Sequence, residues 1–212
     1  LNRYIAQDCA GIVSGLYEYE MSYRPYFPDK LCFIPFPIQH IEEEARKESE
    51  DGKIRFFIGI QKGRSEYKGT DIMLRALEHL KKDYPDQVLI HKAESVPFET
   101  YQHMLEDSDV LLDQLYSYTP AMNGLLAMSK GLVLVGGGEE EQYELLGEKE
   151  LRPIVNVLPN EESVYIELEK LVLHPERIPL LKQQSIKYIR KHHDYRKVAR
   201  EYLEFWTSKA NL

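Results

Sequence analysis

The sequence predicts an α/β fold built on a doubly wound parallel sheet, closed by a run of helices at its C-terminus. Three observations carry that prediction. From residue 54 onward, apolar runs of strand length alternate with helical patterns, the order of successive βαβ units. The runs, such as "IRFFIGI" (54–60) and "LVLVGGG" (132–138), are nearly continuous in apolar residues, as strands covered on both faces must be. Glycine-bearing loops then stand where strands give way to helices, the edge at which an open parallel sheet meets its ligands.

Taken in order, "AGIVS" (10–14) reads as a short buried strand. "LCFIPFPIQ" (31–39) is a strand that ends in an extended linker, because Pro35 and Pro37 cannot donate to a ladder. "HIEEEARKESEDGK" (40–53) is too charged to present a core face and reads as a solvated helical turn or connecting segment. The strand at 54–60 leads to a helix over 70–84, with Thr70 as its N-cap and Ile72, Leu74, Leu77 and Leu80 as its apolar residues. Further strands are expected at 87–93, 109–115, 132–138 and 153–157. Between them fall helices at 97–107, 120–130 and 139–146, and the chain closes with helices at 161–174, 177–192 and 195–210.

Composition sets the bounds. With 212 residues, 43% hydrophobic and 29% charged, the chain can bury one substantial core plus extensions. Its 35 acidic and 27 basic residues leave a net charge of -8, which argues against a protein that coats nucleic acid non-specifically, so any basic site is local. No run reaches the roughly 20 apolar residues that span a bilayer, and the N-terminus lacks the order of a secretory signal, so a soluble, cytoplasmic chain is expected. Cys9 and Cys32 lack the spacing of a zinc site or a disulfide framework and read as two reduced, mostly buried thiols. Because it begins without Met, the chain is expected to be a piece of a longer protein.

The chemistry is expected in the strand-end loops. In "GIQKGRSEYKGTDIMLRALEHL" (59–80), Arg64 and Lys68 can meet one anion, the first as a fork and the second as a point charge, while Gly63 and Gly69 let the backbone approach. A phosphate or diphosphate is the natural ligand. The residues alone leave a solvated basic loop equally open, since the pattern is neither a Walker A loop nor a GxGxxG fingerprint. In "LVLVGGGEEEQYELLG", Glu139 and Glu140 complement a helix N-terminus, and Glu141 could face inward to accept bonds from sugar or ribose hydroxyls. Pro120 would open the next helix and leave the amides of Ala121, Met122 and Asn123 free. His192 and His193 read as partners for the last carbonyls of their helix. Trp206, with Val198, Tyr202 and Phe205, reads as core or docking surface.

Four stretches, taken in order and spacing, resemble the C-terminal half of the retaining GT-B glycosyltransferases related to glycogen synthase and sucrose synthase. "IPFPI" is similar to the interdomain "IPNPV" segment of that family, and "GRSEYKGTDIMLRAL" to its "GRL...KG...L..A" motif. "SDVLLDQLYSYTPAMNGLLAMSKGLVLV" and "GGEEE" follow its "ADV...S..EGFG...LEAMA.G.PVV" and "GG.PE" motifs. The resemblance covers nearly the whole chain. It implies a Rossmann-like domain over 46–193, preceded by the end of an N-terminal domain and linker over 1–45 and followed by a helix over 194–212 that crosses back to that domain.

It further implies a nucleotide-diphosphate sugar donor, a glycan or lipid-linked hydroxyl acceptor, the chain's own N-terminal domain as partner, and no metal or other cofactor. The location implied is cytoplasmic, peripheral at the inner membrane face through the missing half. The diphosphate would meet Gly63, Arg64, Lys68, Ala121 and Met122; the sugar and nucleoside would meet Tyr118, Thr119, Asn123, Glu141, Glu94 and Ser95. No catalytic residue is assigned, because in the mechanism inferred for the family the leaving phosphate itself assists the incoming hydroxyl. Two departures stand out. The E-x7-E carboxylates of the family fall on Tyr118 and Leu126, and only one strand fits between the helix at 70–84 and "SDVLLDQL" where the family has two. An inactive nucleotide-sugar-binding relative and a nucleotide-sugar epimerase are the alternatives, although the epimerase would need an acid and a base in the crevice.

Overall fold

A computed structural model describes residues 2–45 and 51–210 of the chain. The N-terminal stretch forms α1 (Asn2–Asp8), β1 (Ile12–Ser14), α2 (Tyr17–Tyr23) and β2 (Leu31–Phe33). β1 and β2 pair in parallel as a small sheet of their own, Ile12 opposite Leu31 and Ser14 opposite Phe33. The two helices were not legible because each buries a single residue, Ala6 or Glu20, so neither writes an apolar stripe. Glu20 is an unexpected anchor: its buried carboxylate accepts hydrogen bonds from Ser14 and Arg24, tying α2 to β1.

The linker that follows is pinned. Ile38 N–H donates to the His193 carbonyl at 2.7 Å, and Tyr195 N–H donates to the Ile38 carbonyl at 3.2 Å. Of the charged connecting segment at 40–53, residues 46–50 lie outside the described residues, and its described ends carry no helix.

The main domain runs β3 (Ile54–Ile60), α3 (Ser65–Lys68), α4 (Thr70–Asp83), β4 (Val88–Glu94), α5 (Phe98–Glu106), β5 (Val110–Leu112), α6 (Met122–Ser129), β6 (Val133–Gly136), α7 (Glu140–Leu145) and β7 (Ile154–Asn156). Three helices complete it: α8 (Glu161–Leu173), α9 (Arg177–His192) and α10 (Tyr195–Ala210). The sheet is wholly parallel in the order β4-β3-β5-β6-β7. Alternate residues of β3 feed two cores. Phe56 and Ile58 join Met73, Leu77, Leu80 and Leu168 on one face, and Phe57 joins Leu105, Leu125, Met128 and Tyr188 on the other. Burial on both faces is why the strand sequences show no polar alternation.

Several local expectations change. Thr70 is the first residue of α4 rather than its cap; Gly69 takes the cap in a left-handed conformation, after the extra turn α3. Pro120 precedes α6, which begins two residues later. His192 and His193 turn away from the end of their own helix, bonding the Glu148 carboxylate at 2.6 Å and the Phe36 carbonyl at 2.9 Å. Cys9 and Cys32 are half-buried rather than buried. On α10 only Val198 is buried, and Trp206 stays 58% exposed. α10 does lie against the N-terminal stretch: Lys209 Nζ donates to the Asp29 carbonyl at 3.2 Å, and Phe205 fills the space where a Cβ on Gly11 would stand. Among the described residues, no helix is long and apolar enough to cross a membrane.

Candidate functional site

β3 and β5 lie side by side, and the chain leaves β3 towards β4 on one side and β5 towards β6 on the other. Crevices outside the carboxyl ends of strands form at such a switch point. One of about 470 Å³ opens here, floored by Gly59 and Ile60 of β3, walled by Ala93, Ser95 and Val96 after β4, and bounded by Asp113 after β5. Phe98 and Tyr101 of α5, Asn123 of α6, and Gln61 and Lys68 from the β3 loop complete it. Gly59 is required there, because a Cβ would stand 2.7 Å from the Tyr101 ring.

The basic loop is held by glycines and by the neighbouring strand end. Gly63 and Gly69 have φ of +76° and +72°, values that L side chains rarely adopt. Leu115 N–H donates to the Lys68 carbonyl at 2.8 Å, locking the β3 loop to the β5 loop. Lys68 is half-buried and lines the crevice. Arg64, one helical turn earlier, is exposed, with its guanidinium 5.7 Å from the Tyr67 ring centre.

Behind Lys68 stands a side-chain chain that joins the anticipated Asn123 to Tyr101 and Asp113, two residues the sequence analysis does not single out. Tyr101 Oη donates to Asn123 Oδ1 at 2.7 Å, and Asn123 Nδ2 donates to Asp113 Oδ1 at 2.8 Å. Burial pushes the Asp113 carboxyl up from its ordinary range, against the Asn123 hydrogen bond and the Lys68 charge. Burial also raises the Tyr101 hydroxyl to about 12, so it stays protonated as the donor that orients Asn123. The only sequence signal for Asp113 is an acid closing a run of buried apolar residues.

Lys68, Ser95 and Asn123 are thus the anticipated residues that share the crevice; Ser95 adopts φ +51° and donates its N–H to the Ile60 carbonyl at 3.2 Å. The others lie around it. Gly63 and Arg64 sit at the exposed turn, Ala121 and Met122 at the start of α6, Glu141 on the exposed side of α7, and Glu94 beside Lys92 at 3.5 Å. Tyr118 and Thr119 face α2 instead. Glu18 accepts from Ser117 Oγ, the Tyr118 amide and Thr119 Oγ1, each at 2.6 Å, while Tyr118 stacks on Tyr17 at 5.1 Å. Burial opposes ionisation of Glu18, but the Ser117 and Thr119 hydroxyls outweigh it and hold the carboxyl below its usual range. Sequence could not reveal this clasp, whose partners lie about a hundred residues apart.

The loop after β6 closes on the same region. A Cβ on Gly137 would stand 1.6 Å from the Ser117 carbonyl oxygen. Gly137→Ala is therefore expected to push the two strand-end loops apart and cost about 1–3 kcal/mol, lowering Tm by several degrees. An unchanged melting curve would mean that the loops relax freely.

No protein-family model and no curated protein sequence matches the chain. Solved structures do. TarM matches with a TM-score of 0.67 at 13% identity over 96% of this chain and 45% of its own. Sucrose-phosphate synthase from Thermosynechococcus elongatus matches with 0.68 at 12% identity, over 98% of this chain and 60% of its own. HepE from Anabaena, solved with UDP and glucose, matches with 0.70 at 10% identity, over 97% and 65%. The chain therefore spans from 45% to 65% of the length of these three proteins. All are glycosyltransferases of GT-B architecture, and the chain has the fold of one half of them, a Rossmann-like parallel sheet with a crevice at its carboxyl edge.

Proposed function

We propose that the chain is the donor-binding half of a glycosyltransferase, taking a nucleotide-diphosphate sugar and transferring the sugar with retention to a hydroxyl acceptor. The observation that carries this reading is the crevice at the sheet's switch point, with Lys68 pointing into it from a glycine-flanked loop, in a fold whose solved examples include one holding UDP and glucose. Lys68 offsets charge on the diphosphate, which grows as the glycosidic bond breaks, and Arg64 adds a fork. The first amides of α6 face the same ligand. No side chain serves as nucleophile; the leaving phosphate assists the incoming hydroxyl.

The acceptor, a glycan or lipid-linked hydroxyl, is assigned to a preceding domain of which residues 1–45 form the end. Transfer is placed on the cytoplasmic side, with any membrane contact made through that other half. A binding-only reading is favoured by one observation: Tyr118 and Leu126 stand where the resembled family keeps two carboxylates, and Tyr118 is committed to Tyr17.

Calorimetric titration with uridine, guanosine and adenosine diphosphates tests the site. Lys68→Ala is expected to weaken the best ligand by about 10- to 100-fold, the loss of one charge-assisted bond. Arg64→Ala should cost less, because its side chain is exposed. If the wild type binds none of the three, or the Lys68 variant binds equally well, the assignment is wrong. Sugar release from a panel of nucleotide sugars, with and without acceptors, separates transfer from binding alone.

A further inference from the structure

The Asp113 carboxyl has no structural reason to be where it is. It is 5% exposed, yet among the described residues it receives only one side-chain hydrogen bond, from Asn123, and has no cation within 4.0 Å. A carboxylate can accept about four such bonds, and burying one so sparsely bonded is costly. An apolar residue or an amide would serve the fold better.

The carboxyl is nevertheless held with care. Tyr101 orients Asn123, Asn123 orients Asp113, and Gly124 lets α6 come close, since a Cβ there would stand 3.2 Å from Asp113 Oδ2. Its remaining acceptor capacity opens into the crevice, where it is the one acidic side chain among the lining residues.

Its neighbour matters as much. Lys68 lines the same crevice close enough to lower the Asp113 pKa by its charge. A site meant for phosphate alone would gain nothing from an anion beside its lysine. A ligand that carries hydroxyls next to an anion uses both groups, lysine for the phosphate oxygens and carboxylate for the hydroxyls.

We infer that Asp113 is a specificity-determining residue that accepts hydrogen bonds from a vicinal diol flanking the diphosphate of the donor. This rests on the nucleotide-sugar reading above and names the part of the ligand that reading leaves open. Two diols flank a sugar nucleotide's diphosphate, the ribose pair and a hydroxyl pair of the hexose, and the chemistry at Asp113 is common to both.

The test compares ligands that differ by one hydroxyl. Whichever of uridine, guanosine or adenosine diphosphate binds best is titrated against its 2′-deoxy counterpart, and its hexose conjugate against the 2-deoxyhexose conjugate. The wild type is expected to lose about tenfold in affinity on at least one arm. Asp113→Asn keeps an acceptor for Asn123 and removes the charge, and it should reduce that ratio to about twofold or less. Binding of the deoxy ligand itself should hold or tighten in this variant, because a negative charge near the diphosphate is gone. Lys68→Ala should weaken both members of each pair and leave the ratio intact.

A purely structural role for Asp113 would lower all affinities together and leave the ratio unmoved. Wild-type indifference on both arms overturns the inference without recourse to any variant, as does a ratio preserved in a folded Asp113→Asn protein. If no diphosphate binds the wild type at all, the donor-site reading itself falls, an outcome distinct from binding without discrimination.

Discussion

Lys182→Met is expected to destabilise the fold by about 3–5 kcal/mol, lowering Tm by on the order of 10 °C. Lys182 on α9 is 1% exposed, and its Nζ lies 2.5 Å from Asp109 Oδ1 at the entry to β5. Among the described residues, the other Asp109 oxygen takes only the Arg55 amide, at 2.9 Å. The cost of losing Lys182 is thus not the strength of the pair. It is the penalty of leaving Asp109, itself 6% exposed, as a buried anion wedged between β3 and β6. The double variant Asp109→Asn with Lys182→Met should recover most of the loss, because asparagine can still accept from the Arg55 amide and carries no charge. Guanidinium unfolding of the three proteins decides the matter. A single variant within about 1 kcal/mol of wild type would mean that water or rearrangement reaches Asp109.

The order of the sheet elements was legible because the central strands β3, β5 and β6 are largely buried on both faces and so write nearly uninterrupted apolar runs. "IRFFIGI" could be placed to the residue for that reason. α2 could not, because its fixed point is a buried glutamate rather than an apolar stripe. The candidate site divides along the same line. Lys68 announced itself through its glycines and its place after a strand. Asp113 was hidden within "DVLLDQL", where an acid reads as the strand's boundary, and its partners Tyr101 and Asn123 become neighbours only when α5 and α6 dock on the sheet. Spacing pairs Arg64 with Lys68 across the single turn of α3 but carries no information on which of the two enters the crevice. Position alone offers Tyr118 and Thr119 as ligand contacts and gives no sign of Glu18, which the Tyr118 amide and the Thr119 hydroxyl bond in the structure.

The fold is also expected to weaken as pH falls below about 6.5, well before carboxylates in general protonate. Burial depresses the His193 imidazole to about 4, against the Phe36 carbonyl that its Nδ1–H bonds and with added repulsion from His192 and Lys197. Its Nε2 is buried without a hydrogen-bond partner among the described residues, so a proton arriving there finds no acceptor. Between pH 6.5 and 4 the unfolded chain therefore binds a proton that the native state refuses. Stability is full above the upper limit and falls by about 3 kcal/mol by the lower one. His192, lowered by burial although Glu148 opposes the shift, acts in the same direction. Glu148 acts at lower pH. Burial opposes its charge, but His192, Lys191 and the amides of Glu150 and Leu151 prevail and hold it well below the carboxylate range. Its stabilising share is present above an ordinary glutamate pKa and lost as pH drops beneath it. His193→Asn, which keeps an N–H for the Phe36 carbonyl but cannot titrate, should flatten the stability profile between pH 6.5 and 5 by close to one proton's slope while leaving the steeper acid loss in place. Denaturant midpoints measured at half-unit steps would reveal this, and an unaltered slope in the variant would place the acid sensitivity elsewhere. Because His193 also holds Ile38 through its carbonyl, the same protonation is expected to loosen the extended segment around Ile38.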